Sequence, residues 1–206
     1  MWVTGAALFI RLADYREVGG LDGHFFAHME EIDLCWRLRS RGKKLVCIPQ
    51  SVVYHVGGAT LKKENPRKTF LNFRNNLLML YKNLPDKELE HVLFIRGILD
   101  RVAALVFYLK KDRANARAVM QARREFEDIR YSFAASRIEN MMKSTDEIIP
   151  ERTHFSIVMK YYLLGKKHFF PVETFFKLLL FIFLFIALFL YLCLMKFDQK
   201  RKGAVK

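Results

Sequence analysis

The sequence is poor in the residues that build cross-links and metal cages. It has three cysteines in 206 residues, Cys35, Cys47 and Cys193. The number is odd, the spacings are wide, and no C-x-x-C pair occurs. That excludes a disulfide framework and a cysteine zinc site and fits a reducing compartment. There is no G-x-x-x-x-G-K-[ST] run, so there is no P-loop. Helix-turn-helix spacing, zinc-finger spacing and RNP-like aromatic motifs are missing too, so the basic charge does not read as a nucleic-acid partner. No internal repeat is found. No Asp-x-Asp occurs at any position, and no basic leader precedes the first apolar run.

What is present is charge, aromatics and one long apolar run. Lys and Arg outnumber Asp and Glu by 35 to 21, for a formal charge of +14. Such an excess suits a phosphate-bearing or anionic lipid partner. From Leu178 to Met195 no residue is charged. At ~1.5 Å per residue the run covers roughly 27 Å, a bilayer's hydrocarbon core, and it is expected to cross a membrane. Lys177 and Lys196 bracket it, and basic residues flank both ends. The organisation expected is a region over residues 1–85, a basic amphipathic helical region over 86–170, a span over 171–197 and a basic tail over 198–206.

Along the first region, VTGAALFI (3–10) suits a buried strand, and Gly19-Gly20-Leu21-Asp22-Gly23 is a turn. A helix is predicted over Glu30–Arg41. Its first turn holds Glu30, Glu31 and Asp33, its last holds Arg37, Arg39 and Arg41, and Gly42 follows as a C-cap. Asp33 and Arg37 are spaced to pair along it. KLVCIP and SVVYHV read as two strands broken at Pro49. A polar connection over 62–68 leads to a helix in FLNFRNNLLMLYKNLP that stops before Pro85. Residues 91–111 form an amphipathic helix, and 112–143 are helical and charged.

A helix end alone favours acids in its first turn, which accounts for part of the EEID cluster. The wider arrangement does more. GAALFIR, VGGLDGHFFAHMEEIDLCWRLRSRG and VVYHVGGAT, in that order and spacing, resemble the second half of a family 2 glycosyltransferase, and FRNNLLMLYKNLP resembles the segment that comes after it in bacterial members. The resemblance covers roughly the first 85 residues. It implies an α/β fold, a partial GT-A (Rossmann-like) sheet fragment followed by helices and one C-terminal transmembrane helix. It implies an inverting transfer of a sugar from a nucleotide-sugar donor to an acceptor hydroxyl in surface polysaccharide or glycolipid synthesis. Glu31 matches the position of the catalytic base, one methylene longer than the family's usual Asp, with Glu30 and Asp33 as its catalytic neighbours. Asp22, Gly5 and Arg37 match acceptor- or donor-binding positions; Arg37 either holds the acids in place, the preferred role, or touches phosphate. His55 matches a late histidine that contacts the metal or the diphosphate, with Mg²⁺ or Mn²⁺ as the cofactor of the complete enzyme. The partners implied are a nucleotide sugar, a lipid-linked or glycan acceptor and membrane lipids, at the inner membrane with the catalytic part on its cytoplasmic side. The chain is expected to be a piece of a longer enzyme, inactive alone for want of the donor-binding half. The other reading is a membrane-anchored scaffold whose acids only stabilise turns.

Overall fold

The computed structural model describes residues 2–55, 65–145 and 149. The chain divides into two units, Met1–Glu151 and Arg152–Lys206. The helices of the first unit are α1 (Leu12–Glu17), α2 (Glu30–Ser40), α3 (Pro66–Asn83), α4 (Asp86–Leu109), α5 (Arg113–Ile129) and α6 (Ala134–Met142), with 3-10 turns at Gly5–Ala7, Gly23–Phe25 and Arg130–Phe133.

Local signals set most of these boundaries. Asn65 caps α3, its side chain accepting from the Arg67 N–H at 2.9 Å, and Pro66 opens the helix where a missing N–H costs nothing. Pro85 then divides α3 from α4. Asp112 caps α5 by accepting from the Asn115 N–H at 3.1 Å. Helix α5 packs against both α3 and α4, and α3 also touches α2 and α6. One core forms where they meet, from Leu77, Leu78 and Tyr81 of α3, Leu93 of α4 and Phe126 of α5, closed by Phe25. Phe25 thus shares a core with residues beyond the expected boundary at 85. A smaller cluster, Val18, Leu34 and Leu38, seats α2 on the end of α1.

The expected α/β architecture is corrected here. No strand occurs among the described residues, so no partial GT-A sheet is formed by them. VTGAALFI holds a 3-10 turn, and Phe9 is 92% exposed. Residues 44–49 and 51–55 have no regular structure, with Val46 at 72% and Val52 at 70% exposure. The physical reason is that β-branched residues favour a pleated surface only when a neighbouring strand completes the ladder and covers one face. No described segment does either.

The membrane expectations are corrected as well. Among the described residues no helix is long and apolar enough to cross a membrane, so an anchored enzyme at the inner membrane is not supported. The run from Leu178 to Met195 and the basic tail lie outside the described residues. Residues 91–109 do fall in a helix, α4, whose Asp100 turns inward while Glu90, His91 and Arg101 stay exposed. Asp100 is fully buried and pairs with Arg96 at 2.8 Å and Arg123 of α5 at 2.9 Å.

Candidate active site

The acids at the start of α2 divide into two sets with different surroundings. Asp33 is 0% exposed. Its Oδ2 accepts from Arg37 Nε at 3.0 Å and Nη2 at 2.8 Å, and from Lys82 Nζ at 3.0 Å. Its Oδ1 accepts from Asn83 Nδ2 at 2.7 Å. Two cations and an amide therefore surround this carboxylate, which gives a buried charge the partners it requires. Arg37 continues the network by donating to the carbonyls of Val18 and, at 2.7 Å, Gly20. Gly20 has φ +66°, and a Cβ there would sit 2.8 Å from the Tyr15 ring. Asp33 and Arg37 together fasten the glycine turn to α2.

Lys82 is the second link. Its Nζ donates to Asp22 Oδ2 at 2.7 Å and lies 5.0 Å from the centre of the Phe25 ring. Asp22 also accepts from the backbone N–H of His24 at 3.0 Å and contacts His24 Nδ1 at 2.7 Å. Burial works to raise the Asp22 carboxyl, but the Lys82 ammonium and the His24 N–H outweigh it and hold it at about 2.

Glu30 and Glu31 are different. Both are half-buried, and the Oε2 of each is buried without a hydrogen bond. Burial pushes the Glu30 carboxyl up against the opposing pull of its own backbone N–H. The neighbouring Glu31, through its charge and a hydrogen bond between the two side chains, pushes it further. The N-terminal segment lies against this pair of acids. The Val3 N–H points at Cys35 Sγ at 3.4 Å, and a Cβ on Gly5 would sit 3.7 Å from Glu31 Oε1. Burial also pushes the Cys35 thiol up, and the Glu31 charge adds to it.

The structure therefore brings Gly5, Glu30 and Glu31 together on one side of α2, and Asp22, Asp33 and Arg37 together on another. His55 is joined to neither. It lies on an exposed stretch. The histidine beside Glu31 is His28, which the sequence did not single out. Its Nε2 is buried without a hydrogen bond, and its imidazole is held below its ordinary pKa by burial first and by the Lys68 charge second, against the Glu31 carboxylate. Among the described residues no group of three or more His, Cys, Asp or Glu is placed to hold a metal ion.

Asn75, Lys82 and Asn83 were also missed. A signal for them exists. In NNLLMLYKN the polar positions 75, 82 and 83 share the i, i+7, i+8 face with Met79, so polar side chains fall where an amphipathic helix turns inward. A polar residue at a core position needs a buried partner.

No protein-family model matches the chain, and no solved structure matches it. Curated proteins do. Over 54 residues the chain is 37% identical to the N-acetylglucosaminyl-diphospho-decaprenol L-rhamnosyltransferase of Mycobacterium tuberculosis, covering 26% of this chain and 18% of that protein. Over 139 residues it is 31% identical to the pre-mycofactocin glycosyltransferase of the same organism, covering 62% of this chain and 29% of that one. Over 54 residues it is 35% identical to rhamnosyltransferase WbbL of Escherichia coli, covering 26% and 20%. The chain thus spans between 18% and 29% of the length of these relatives. All three are glycosyltransferases by name.

Proposed function

We propose that this chain carries the acceptor-activating part of an inverting, family 2 glycosyltransferase, with Glu31 as the general base. The observation that carries the reading is the Glu30–Glu31 pair. It is half-buried, the Oε2 of each acid is buried without a hydrogen-bond partner, and the pair stands on a helix locked from behind by Asp33. An acceptor hydroxyl is a poor nucleophile at neutral pH, so its proton must leave as it attacks the anomeric carbon. Burial and the neighbouring Glu31 push the Glu30 carboxyl up, so of the two it is the one less ready to carry charge. The Glu31 carboxylate is then the one free to take the hydroxyl proton. Substrates in this reading are a nucleotide sugar and a glycan or lipid-linked acceptor. Rhamnosyl donors are the first to try, since two of the three relatives carry that sugar in their names. The sequence holds no Asp-x-Asp, so donor binding by this chain alone is not part of the proposal.

The test replaces Glu31 at the native locus and follows incorporation of labelled sugar by cell extracts. Glu31→Gln keeps the shape and removes the proton acceptor, and general-base loss costs about 10²–10⁴-fold in rate. Glu31→Asp, the shorter acid, is expected to keep most of the transfer. Full transfer by Glu31→Gln would refute the assignment.

A further inference from the structure

The loop that delivers the acid pair is held in a costly shape. Phe26, His28 and Met29 have φ of 61°, 69° and 73°, left-handed values that non-glycine residues rarely adopt. Each costs about 1–2 kcal/mol, so three within four positions need compensation nearby. Met29 is also the N-cap of α2, where a short polar side chain is usual, and it makes no side-chain cap.

The compensation comes from one side chain. The Asn75 Nδ2 of α3, itself fully buried, points at three carbonyls of this loop: Phe25 at 2.8 Å, Ala27 at 2.7 Å and His28 at 2.9 Å. An amide nitrogen has two hydrogens, so the three oxygens share them. Convergence of that kind needs the carbonyls turned to one side, which the left-handed residues achieve. The orientation of the amide is fixed in turn. Arg74 Nε donates to Asn75 Oδ1 at 3.0 Å, while its other nitrogens reach the His24 carbonyl at 3.0 Å and Glu125 of α5 at 2.7 Å. The loop ends at Met29, whose carbonyl accepts from the Asp33 N–H at 2.8 Å to begin α2. A fixed path therefore leads from α5 through Arg74 and Asn75 to the residue before Glu30.

We infer that Asn75 is a positioning residue: its amide holds the 25–28 loop in the left-handed form that sets Glu30 and Glu31 side by side, and Arg74 keeps that amide the right way round. The inference rests on the reading of Glu31 as the base. A merely structural Asn75 would weaken the fold without moving the titration of Glu30.

The experiment is a carboxyl ¹³C NMR titration of the full chain labelled on glutamate, with Glu30→Gln and Glu31→Gln assigning the signals. In the wild type the Glu30 midpoint is expected above the ordinary carboxylate range. In Asn75→Ala it returns to that range as the pair separates. Asn75→Ser, smaller but still a donor, replaces it if the alanine variant does not fold. Leu78→Ala is the control; it opens the core on the same helix and lowers the melting temperature, and the raised midpoint stays. An unmoved midpoint in the foldable Asn75 variant overturns the inference, and so does an equal movement in Leu78→Ala. The two readings fail separately. If Glu31→Gln leaves transfer intact while Asn75→Ala moves the midpoint, the base assignment falls and the clamp stands. If Glu31→Gln abolishes transfer and the midpoint ignores Asn75, only the clamp falls.

Discussion

Lys82→Met is the most informative single change to the buried network. It removes one charge and keeps a side chain of similar length. Lys82 is 2% exposed and is the only described cation that touches both Asp22 and Asp33. The magnitude comes from the two partners. Asp22 falls from 3.8 to about 2 in the folded chain. That is nearly two units, or ~2.4 kcal/mol of stability at neutral pH, much of it owed to Lys82. Asp33 keeps Arg37 and Asn83 but loses one charge-assisted hydrogen bond, about 1.5–3 kcal/mol. Together the loss is about 4 kcal/mol at pH 7, within the ~3–5 kcal/mol range for breaking a buried ion pair. The sign of the pH dependence is set by Asp22. Its folded pKa is depressed, so its contribution is complete above 3.8 and disappears as the pH falls through about 2. Near pH 3 about half of it is gone, so the gap between wild type and variant narrows by ~1 kcal/mol. Urea unfolding of both proteins at pH 7 and pH 3 measures this directly. A loss under ~1 kcal/mol at pH 7, or a gap that does not narrow at pH 3, would show that Lys82 is not what holds the two acids.

Two further changes test other parts of the structure. Gly20→Ala puts a Cβ 2.8 Å from the Tyr15 ring at φ +66°, and thermal melting is expected to show a loss of about 2–4 kcal/mol. Asp100→Asn is expected to go the other way. Burial raises the Asp100 carboxyl against the pull of Arg96 and Arg123, so its ionisation costs stability as the pH rises from below 3.8. The asparagine variant should match the wild type near pH 3 and equal or exceed it at pH 7 by urea unfolding.

The elements legible in the sequence are those whose causes lie within a few residues. The helix predicted over Glu30–Arg41 is found at Glu30–Ser40, with Gly42 at φ +73° just past its end. The predicted stop before Pro85 appears as α3 ending at Asn83, and the turn at 19–23 uses positive φ at Gly19 and Gly20. Acids, terminal arginines, proline and glycine act locally, so their pattern can be read. The runs KLVCIP and SVVYHV show the opposite case. Their composition favours a strand, but a strand is a relation between two segments, and no described segment supplies the second. The site has the same limit. Asn75 reaches Phe25, Lys82 reaches Asp22, and Asn83 reaches Asp33 across 50 to 60 positions. Nothing local to FFAHMEE marks which residue of a later helix will face it.

The division of labour among the acids comes from helix geometry once those long-range partners are known. Residues two apart on an α-helix differ by about 200° around its axis. Glu31 and Asp33 therefore cannot serve the same surroundings. Asp33 turns toward α3 and is consumed by Lys82, Asn83 and Arg37, while Glu31 turns toward the Gly5 segment and keeps an oxygen without a partner. Helix-dipole stabilisation treats every acid in a first turn alike, at about 0.3–1 kcal/mol each. It explains neither the four hydrogen bonds on one carboxylate nor the bare oxygens on the other two. A carboxylate with all its lone pairs engaged can only anchor. Glu30, desolvated and crowded by Glu31, is disfavoured in its charged form. The anchored acid makes the strained pair tolerable, because without the Asp33 network behind it the first turn of α2 would be free to rotate its carboxylates into water.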